Sequence, residues 1–125
     1  MPQNAKTGAL ANEFGHQTAR KIAVKIGAVP VSETSSEFAL NGRLVTIRCA
    51  HKQTIDVGIT YNMLDRVDVI IAAFENESGA YELHQMTPAL YRVYLRDSKN
   101  EGKVGLVRRA TFHEIGEHLE SIRIT

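Results

Sequence analysis

One continuous apolar stretch near the middle of the chain, residues 67–75 (VDVIIAAFE), restricts the fold more than any other feature. Its β-branched residues favour a strand, and the lack of polar alternation indicates that both faces of that strand are buried. A strand of this kind needs packing elements on both sides of its sheet. The sequence therefore predicts an α/β fold, with three α/β/α layers around a mixed central sheet.

The length of 125 residues limits the chain to one hydrophobic core, and so to one domain. Residues 1–11 are largely aperiodic, which predicts a flexible N-terminal tail ahead of a single domain over residues 12–125. The first helix is expected to begin near Asn12, a good N-cap residue, and to stop at Gly27.

The composition excludes several classes of protein. The single cysteine, Cys49, rules out an internal disulfide framework and is typical of a reducing compartment. The N-terminus lacks the pattern of a signal peptide, and the longest apolar run, residues 69–74, is too short to cross a bilayer. We therefore expect a soluble, cytoplasmic protein. A net charge of +1 neither indicates nor excludes a nucleic-acid partner, so the clustering of the cations matters.

Turn and capping signals predict the remaining elements. Asn41-Gly42 between apolar residues predicts a β-hairpin, and Thr87-Pro88 predicts the start of a helix. A capping box at residues 111–114 predicts a last helix that continues to about Ser121. A short helix over residues 61–66 and strands over residues 80–86 and 104–110 complete the expected order.

The hairpin has two chemically different sides, because a two-residue loop fixes its register and side chains alternate along each strand. Its apolar side carries Phe38, Leu40, Val45, Ile47 and Cys49. Its other side brings Glu37 opposite Thr46 and places Arg48 beside them, and Lys52 joins if the strand continues. We refer to Glu37, Thr46, Arg48 and Lys52 as the hairpin cluster.

This arrangement resembles the PD-(D/E)XK nuclease superfamily, the fold of many restriction enzymes and junction resolvases. In that superfamily a first helix, often bearing a glutamate, precedes a hairpin with an acidic residue on its first strand. A Glu-x-Lys triplet lies on the second strand, and a helix and a buried strand follow. Here residues 12–28 correspond to the helix, Glu37 to the acidic residue and residues 46–48 (Thr-Ile-Arg) to the triplet. The similarity covers residues 12–86.

The resemblance implies a restriction endonuclease-like fold and Mg²⁺-dependent cleavage of DNA, with Glu37 as a metal ligand. The triplet departs from the pattern, because Thr46 offers only a neutral hydroxyl and Arg48 stays protonated and cannot act as a base. Arg48 can still bind a phosphate through two hydrogen bonds. Glu13 on the first helix is the candidate replacement for the missing carboxylate, and Lys52 the candidate replacement for the lysine.

Three other patterns have simpler readings. Glu37 and Arg48 could form a cross-strand ion pair on a solvated face, with no function. The spacing in residues 113–118 (HEIGEH) fits no zinc-protease motif, so we expect His113 and Glu117 to pair along a helix and disfavour a metal-binding module there. Cys49 is expected to behave as a small hydrophobe rather than as a nucleophile activated by His51.

Six cations in the second half of the chain are expected to contact nucleic acid, and the alternative is a solvated helix face beside a polar loop. They are Arg92, Arg96, Lys99, Lys103, Arg108 and Arg109.

The sequence thus predicts a nuclease-like domain that binds DNA. It is either a divergent Mg²⁺-dependent endonuclease or a relative with an eroded active site. The expected catalytic residues are Glu37, Thr46, Arg48 and Lys52, with Glu37 and Glu13 as metal ligands. The alternative is a small non-enzymatic protein-interaction domain, such as a homodimer.

Overall fold

A computed structural model describes residues 5–33, 36–98 and 103–124, with side chains in the first helix from residue 15 onward. The elements in chain order are α1 (Ala5–Ile26), β1 (Val29–Pro30), β2 (Glu37–Leu40), β3 (Arg43–Ala50), β4 (Asp56–Thr60), α2 (Tyr61–Arg66), β5 (Val69–Glu75), β6 (Tyr81–Met86), α3 (Pro88–Tyr94), β7 (Arg96–Asp97), β8 (Val104–Arg108), α4 (Arg109–Ile115) and β9 (Glu117–Ile122). None of these helices combines the length and the apolar character that a membrane span requires.

The main sheet is mixed and has six strands in the order β1-β2-β3-β5-β6-β9. All neighbouring strands run antiparallel except β3 and β5, which are parallel and are connected through β4 and α2. A second sheet of three antiparallel strands has the order β4-β8-β7. The prediction of an α/β fold with a mixed sheet is therefore confirmed.

Strand β5 lies at the centre of the fold, and its residues from Val69 to Phe74 are all buried, as its unbroken apolar sequence predicts. Alternate residues enter two different cores. Val69, Ile71 and Ala73 pack into a first core that includes residues of α1. Ile70, Ala72 and Phe74 pack into a second core, which contains residues of α2, α3, α4 and the three-stranded sheet.

The hairpin forms as predicted. Asn41 and Gly42 have φ values of 52° and 78°, the left-handed conformation that a two-residue type I′ turn requires. Glu37 is the cross-strand partner of Thr46, and the apolar side packs into the first core. The opposite side is not simply solvated, because it faces the second core.

Helix α1 begins at Ala5, earlier than the predicted start near Asn12. Residues 5–11 therefore belong to a helix rather than to a tail. The reason is composition, because this segment is rich in alanine, the residue with the highest intrinsic helix propensity.

Residues 56–60, for which the sequence signals predict no strand, form strand β4. Its two inward side chains, Val57 and Ile59, alternate as a strand requires, but five residues with a central Gly58 give only a weak sequence signal. The three-stranded sheet was missed for this reason.

The prediction of a last helix from Thr111 to about Ser121 is wrong. Helix α4 begins at Arg109 and ends at Ile115, so Thr111 lies inside the helix and does not cap it. A Cβ atom on Gly116 would lie 2.6 Å from the Phe112 carbonyl oxygen, so the sharp exit from α4 needs glycine. The chain then pairs with the open edge of β6 as β9, and these cross-strand hydrogen bonds outweigh local helix propensity.

Candidate functional site

The acid of the hairpin cluster is already bonded to a guanidinium group. Both oxygens of Glu37 accept hydrogen bonds from Arg66 at the end of α2, with Nε–Oε1 at 3.0 Å and the second contact at 3.1 Å. The Glu37 side chain is only 12% exposed. The Glu37 carboxylate in turn raises the pKa of Arg66. The partner of Glu37 in the folded chain is thus a residue of α2.

The hydroxyl of Thr46 is fully buried and has a structural role. It donates to the Ser36 carbonyl oxygen at 3.1 Å and lies 3.3 Å from the Ser36 hydroxyl. These contacts fasten the start of β2 to β3. A hydroxyl held in this way is poorly placed to serve as a metal ligand.

Arg48 is exposed, and its guanidinium makes no hydrogen bond or ion pair with the residues that the structure describes. Together with Thr46 it lines a cavity of about 210 Å³, which we call the Arg48 cavity. The other lining residues are Gly58, Ile59, Thr60, Met63 and Val104. An unsatisfied guanidinium beside a concave surface can bind an anion.

Of the two candidate replacements, the structure describes the side chain of Lys52 alone. Strand β3 ends at Ala50, so Lys52 lies in a turn and does not continue the row of Arg48; the predicted alignment is wrong. The side chain of Glu13 lies outside the part of the chain that the structure describes. Its helix, α1, packs on the first core, on the opposite face of the sheet from Thr46 and Arg48.

Cys49 and His51 point to different environments. The Cys49 thiol packs against the first core, and burial raises its pKa to about 12. His51 lies beyond the end of β3, with Nδ1 3.4 Å from Glu75 Oε1. Cys49 therefore has the surroundings of a core residue, as expected.

Arg109, one of the predicted nucleic-acid contacts, is bonded to the backbone of the fold. Its guanidinium donates to four carbonyl oxygens, those of His51, Lys52, Thr54 and Glu75. It also lies 4.9 Å from the centre of the Phe74 ring. These contacts hold the turn after β3 against the start of α4.

The other predicted cations have varied surroundings. Arg92 pairs with Asp65, and Arg96 pairs with Asp56. Lys103 and Arg108 are exposed near the two ends of β8. Lys99 lies outside the described residues.

A second group of polar side chains, which we call the histidine cluster, surrounds β6. It consists of His84 on β6, His113 on α4, His118 on β9 and Glu82 on β6. The ring centre of His84 lies 4.5 Å from that of His113 and 4.9 Å from that of His118. An irregularity in the β6–β9 pairing between Leu83 and His84 makes His118 the direct cross-strand partner of His84. Bulges of this kind re-aim side chains.

His84 is the least satisfied polar residue of this group. It is 5% exposed, and neither of its ring nitrogens has a hydrogen-bond partner among the described residues. Burial, reinforced by His113 and His118, lowers its pKa to about 4. The imidazole is therefore neutral at neutral pH.

Glu82 lies two residues before His84, on the same face of β6. Asn76 Nδ2 donates to its Oε2 atom at 3.1 Å. Each of Glu82, His84 and His118 offers one possible ligand atom, and these three atoms lie within 4.8 Å of one another. Within the described ranges, no other group of three histidine, cysteine, aspartate or glutamate side chains is this close.

The sequence pattern predicts His113 and His118 on one helix, where their spacing has no metal-binding geometry. It does not identify His84 or Glu82 as ligands. The available signal was Glu82-x-His84 within a strand pattern, because residues two apart share a face. Only the pairing of β9 with β6 brings His118 to that face.

Comparisons with known proteins place the chain in no family. A scan against protein-family models finds no match, and a search of curated proteins finds no significantly similar sequence.

Proposed function

We propose that this chain is a restriction endonuclease-like domain that binds the phosphate backbone of DNA through an eroded active site. In this proposal the main sheet is the middle layer of a three-layer α/β/α fold of the restriction endonuclease type. This arrangement is supported by the chain order α1, β1, β2, β3, β4, α2, β5, and by the packing of both sheet faces. This order agrees with the nuclease pattern in the sequence.

The eroded version is favoured over an active Mg²⁺ enzyme by the contacts of the hairpin cluster. Mg²⁺ binds through oxygen ligands and in proteins usually takes one or two carboxylates. Glu37 is the carboxylate of this cluster, and Arg66 occupies both of its oxygens. Thr46 is committed to Ser36. Metal binding by an active enzyme would have to compete with these contacts.

The observation that carries the proposal is the exposed guanidinium of Arg48 on the wall of the Arg48 cavity. Further cations lie close in the chain to residues that line this cavity. Arg66 contacts Met63 at 3.8 Å between nitrogen and sulfur, and Lys103 immediately precedes Val104. A phosphate bound by Arg48 would therefore lie near Lys103, whereas the charge of Arg66 is paired with Glu37.

Fluorescence anisotropy with labelled duplex, single-stranded and branched DNA, measured across a range of NaCl concentrations, tests this proposal. Arg48→Ala should weaken binding and reduce the slope of log affinity against log salt by about 1. Arg43→Ala is the matched control, because Arg43 lies on the same strand with its side chain on the opposite face. It should change binding little.

Two results would overturn the proposal: no salt-dependent binding to any of the three DNAs, or equal losses of affinity in the Arg48 and Arg43 variants.

Incubation of the same DNAs with Mg²⁺ or Mn²⁺ tests whether the site has kept any cleavage activity. Cleavage that disappears in Glu37→Ala would mean that Glu37 is a metal ligand and that the chain is an active endonuclease.

A second candidate is a homodimeric interaction domain, favoured by apolar residues at one sheet edge. Val29 on β1 and Val31 just after it are 62% and 56% exposed, and β1 is a terminal strand of the main sheet. An open edge can pair with a second copy. Light scattering should then give a dimer mass that Val29→Lys reduces to a monomer; a monomer at all concentrations removes this candidate.

A further inference from the structure

The histidine cluster contains buried nitrogen atoms that the fold leaves without partners. Buried polar side-chain atoms are nearly always hydrogen-bonded, and each exception calls for an explanation. His84 is 5% exposed, and within the part of the chain that the structure describes both of its nitrogens lack a hydrogen-bond partner. Two other potential ligand atoms lie within 4.8 Å of His84, one on Glu82 and one on His118. An ion bound between these atoms would satisfy the buried imidazole.

We propose that Glu82, His84 and His118 form a binding site for a divalent transition-metal ion, and that Zn²⁺ is the ion best matched to it. Two imidazole nitrogens and one carboxylate oxygen suit Zn²⁺, whereas Mg²⁺ and Ca²⁺ prefer oxygen ligands alone. Three protein ligands leave one tetrahedral position open to water or to a substrate. The site is independent of the proposed DNA contact at Arg48.

The surroundings of the three ligands fit a metal site. The amide of Asn76 bonds one oxygen of Glu82, and such outer contacts orient ligating carboxylates. His118 is exposed on the edge strand β9, so an ion can reach the site from solvent. The rings of Phe74 and His113 flank His84, with centres at 5.9 Å and 4.5 Å, and limit its motion. His113 is a neighbour in this arrangement rather than a ligand.

A bound ion would also join two strands. Glu82 and His84 belong to β6, and His118 belongs to β9, whose first five residues are all exposed. A ligand that binds only the folded chain stabilises it by mass action. Zn²⁺ should therefore raise the unfolding temperature.

The test uses the full chain without an affinity tag, stripped with a chelator and titrated with Zn²⁺ against a chromophoric competitor. Elemental analysis should give one zinc per chain, and Co²⁺ in the same site should give visible absorption bands. His118→Ala and Glu82→Gln should each weaken binding by more than the roughly 10- to 100-fold that loss of an outer-shell partner costs. His118 is exposed, so its replacement should not prevent folding, which circular dichroism checks.

His51→Ala is the matched control, because His51 is an exposed histidine that contacts Glu75. It should bind Zn²⁺ like the original chain, and so should Arg48→Ala. The proposal is overturned if the original chain binds no stoichiometric Zn²⁺, or if His118→Ala retains its affinity. It is also overturned if His113→Ala abolishes binding while Glu82→Gln does not, because the ligands would then be different residues.

Discussion

The hairpin cluster and the histidine cluster lie on the same face of the main sheet but differ in how their polar atoms are satisfied. Arg48, Ala72, His84 and His118 follow one another across β3, β5, β6 and β9 as cross-strand partners. Glu37 and Thr46, near one end of this row, are bonded to Arg66 and Ser36. His84, near the other end, is buried and has no hydrogen-bond partner in residues 5–33, 36–98 and 103–124. Saturated contacts indicate a structural role, whereas an unsatisfied buried group calls for an explanation, which the proposed metal site supplies.

The largest predicted effect concerns the two sides of β3, where Arg48 is exposed and Cys49 packs inward. Burial raises the pKa of Cys49 from 9.0 to about 12, so the native chain should contain about 1,000-fold less thiolate at pH 8 than a free cysteine. Labelling with a thiol reagent should be slow and should accelerate with rising pH. Chain unfolded in urea is the control and should react rapidly; equally rapid labelling of the native chain would show that this side of β3 is not packed.

The next largest effect is a difference in stability between the Arg109→Ala and Arg48→Ala variants. Arg109→Ala removes hydrogen bonds to four carbonyl oxygens and should lower the free energy of unfolding by about 2–3 kcal/mol. Arg48→Ala removes no hydrogen bond to the described residues and should change it by about 0.5 kcal/mol or less. Urea denaturation measures both. If the two variants are equally stable, the distinction between a structural arginine and a free one fails.

Two substitutions by apolar residues of similar size compare the unsatisfied His84 with the satisfied Thr46. They should change the free energy of unfolding in opposite directions. In chelator at pH 8, His84→Leu removes unsatisfied buried nitrogens and should stabilise the chain by about 1 kcal/mol. Thr46→Val removes satisfied contacts to Ser36 and should destabilise it by about 1 kcal/mol. Thermal unfolding followed by circular dichroism gives both values. Destabilisation by His84→Leu would mean that the imidazole is already satisfied in the metal-free chain.

The contrast also explains which features the sequence could predict. The hairpin register follows from the Asn41-Gly42 turn and strand alternation, and the buried strand β5 follows from its unbroken apolar run. Both are local signals, and both are confirmed. Strand β9 depends instead on pairing with β6, whose paired residues lie 32 to 41 positions away in sequence, so its local helix signal was misleading.

The candidate sites also combine features that local sequence predicts with features that depend on residues distant in sequence. The grouping of Glu37, Thr46 and Arg48 on one side of the hairpin needed only alternation. The partner of Glu37 is Arg66, which lies 29 positions away on α2, so the local pattern could not identify it. The histidine cluster required three elements to meet, and no spacing in the sequence encodes that meeting.

The smallest predicted effect uses Glu37 to decide between the two versions of the hairpin cluster. In the eroded version, Glu37 neutralises Arg66, so Glu37→Gln should free a cation and tighten DNA binding by up to roughly 5-fold at low salt. Asp65→Asn is the matched control, since it removes an acid from the exposed Arg92 pair, and neither Asp65 nor Arg92 lines the Arg48 cavity. It should have less effect on binding. In an active enzyme Glu37 would hold the metal, and Glu37→Gln would instead abolish metal-dependent cleavage. Anisotropy and a cleavage assay on the same samples therefore separate a scaffold that binds phosphate from an enzyme that hydrolyses it.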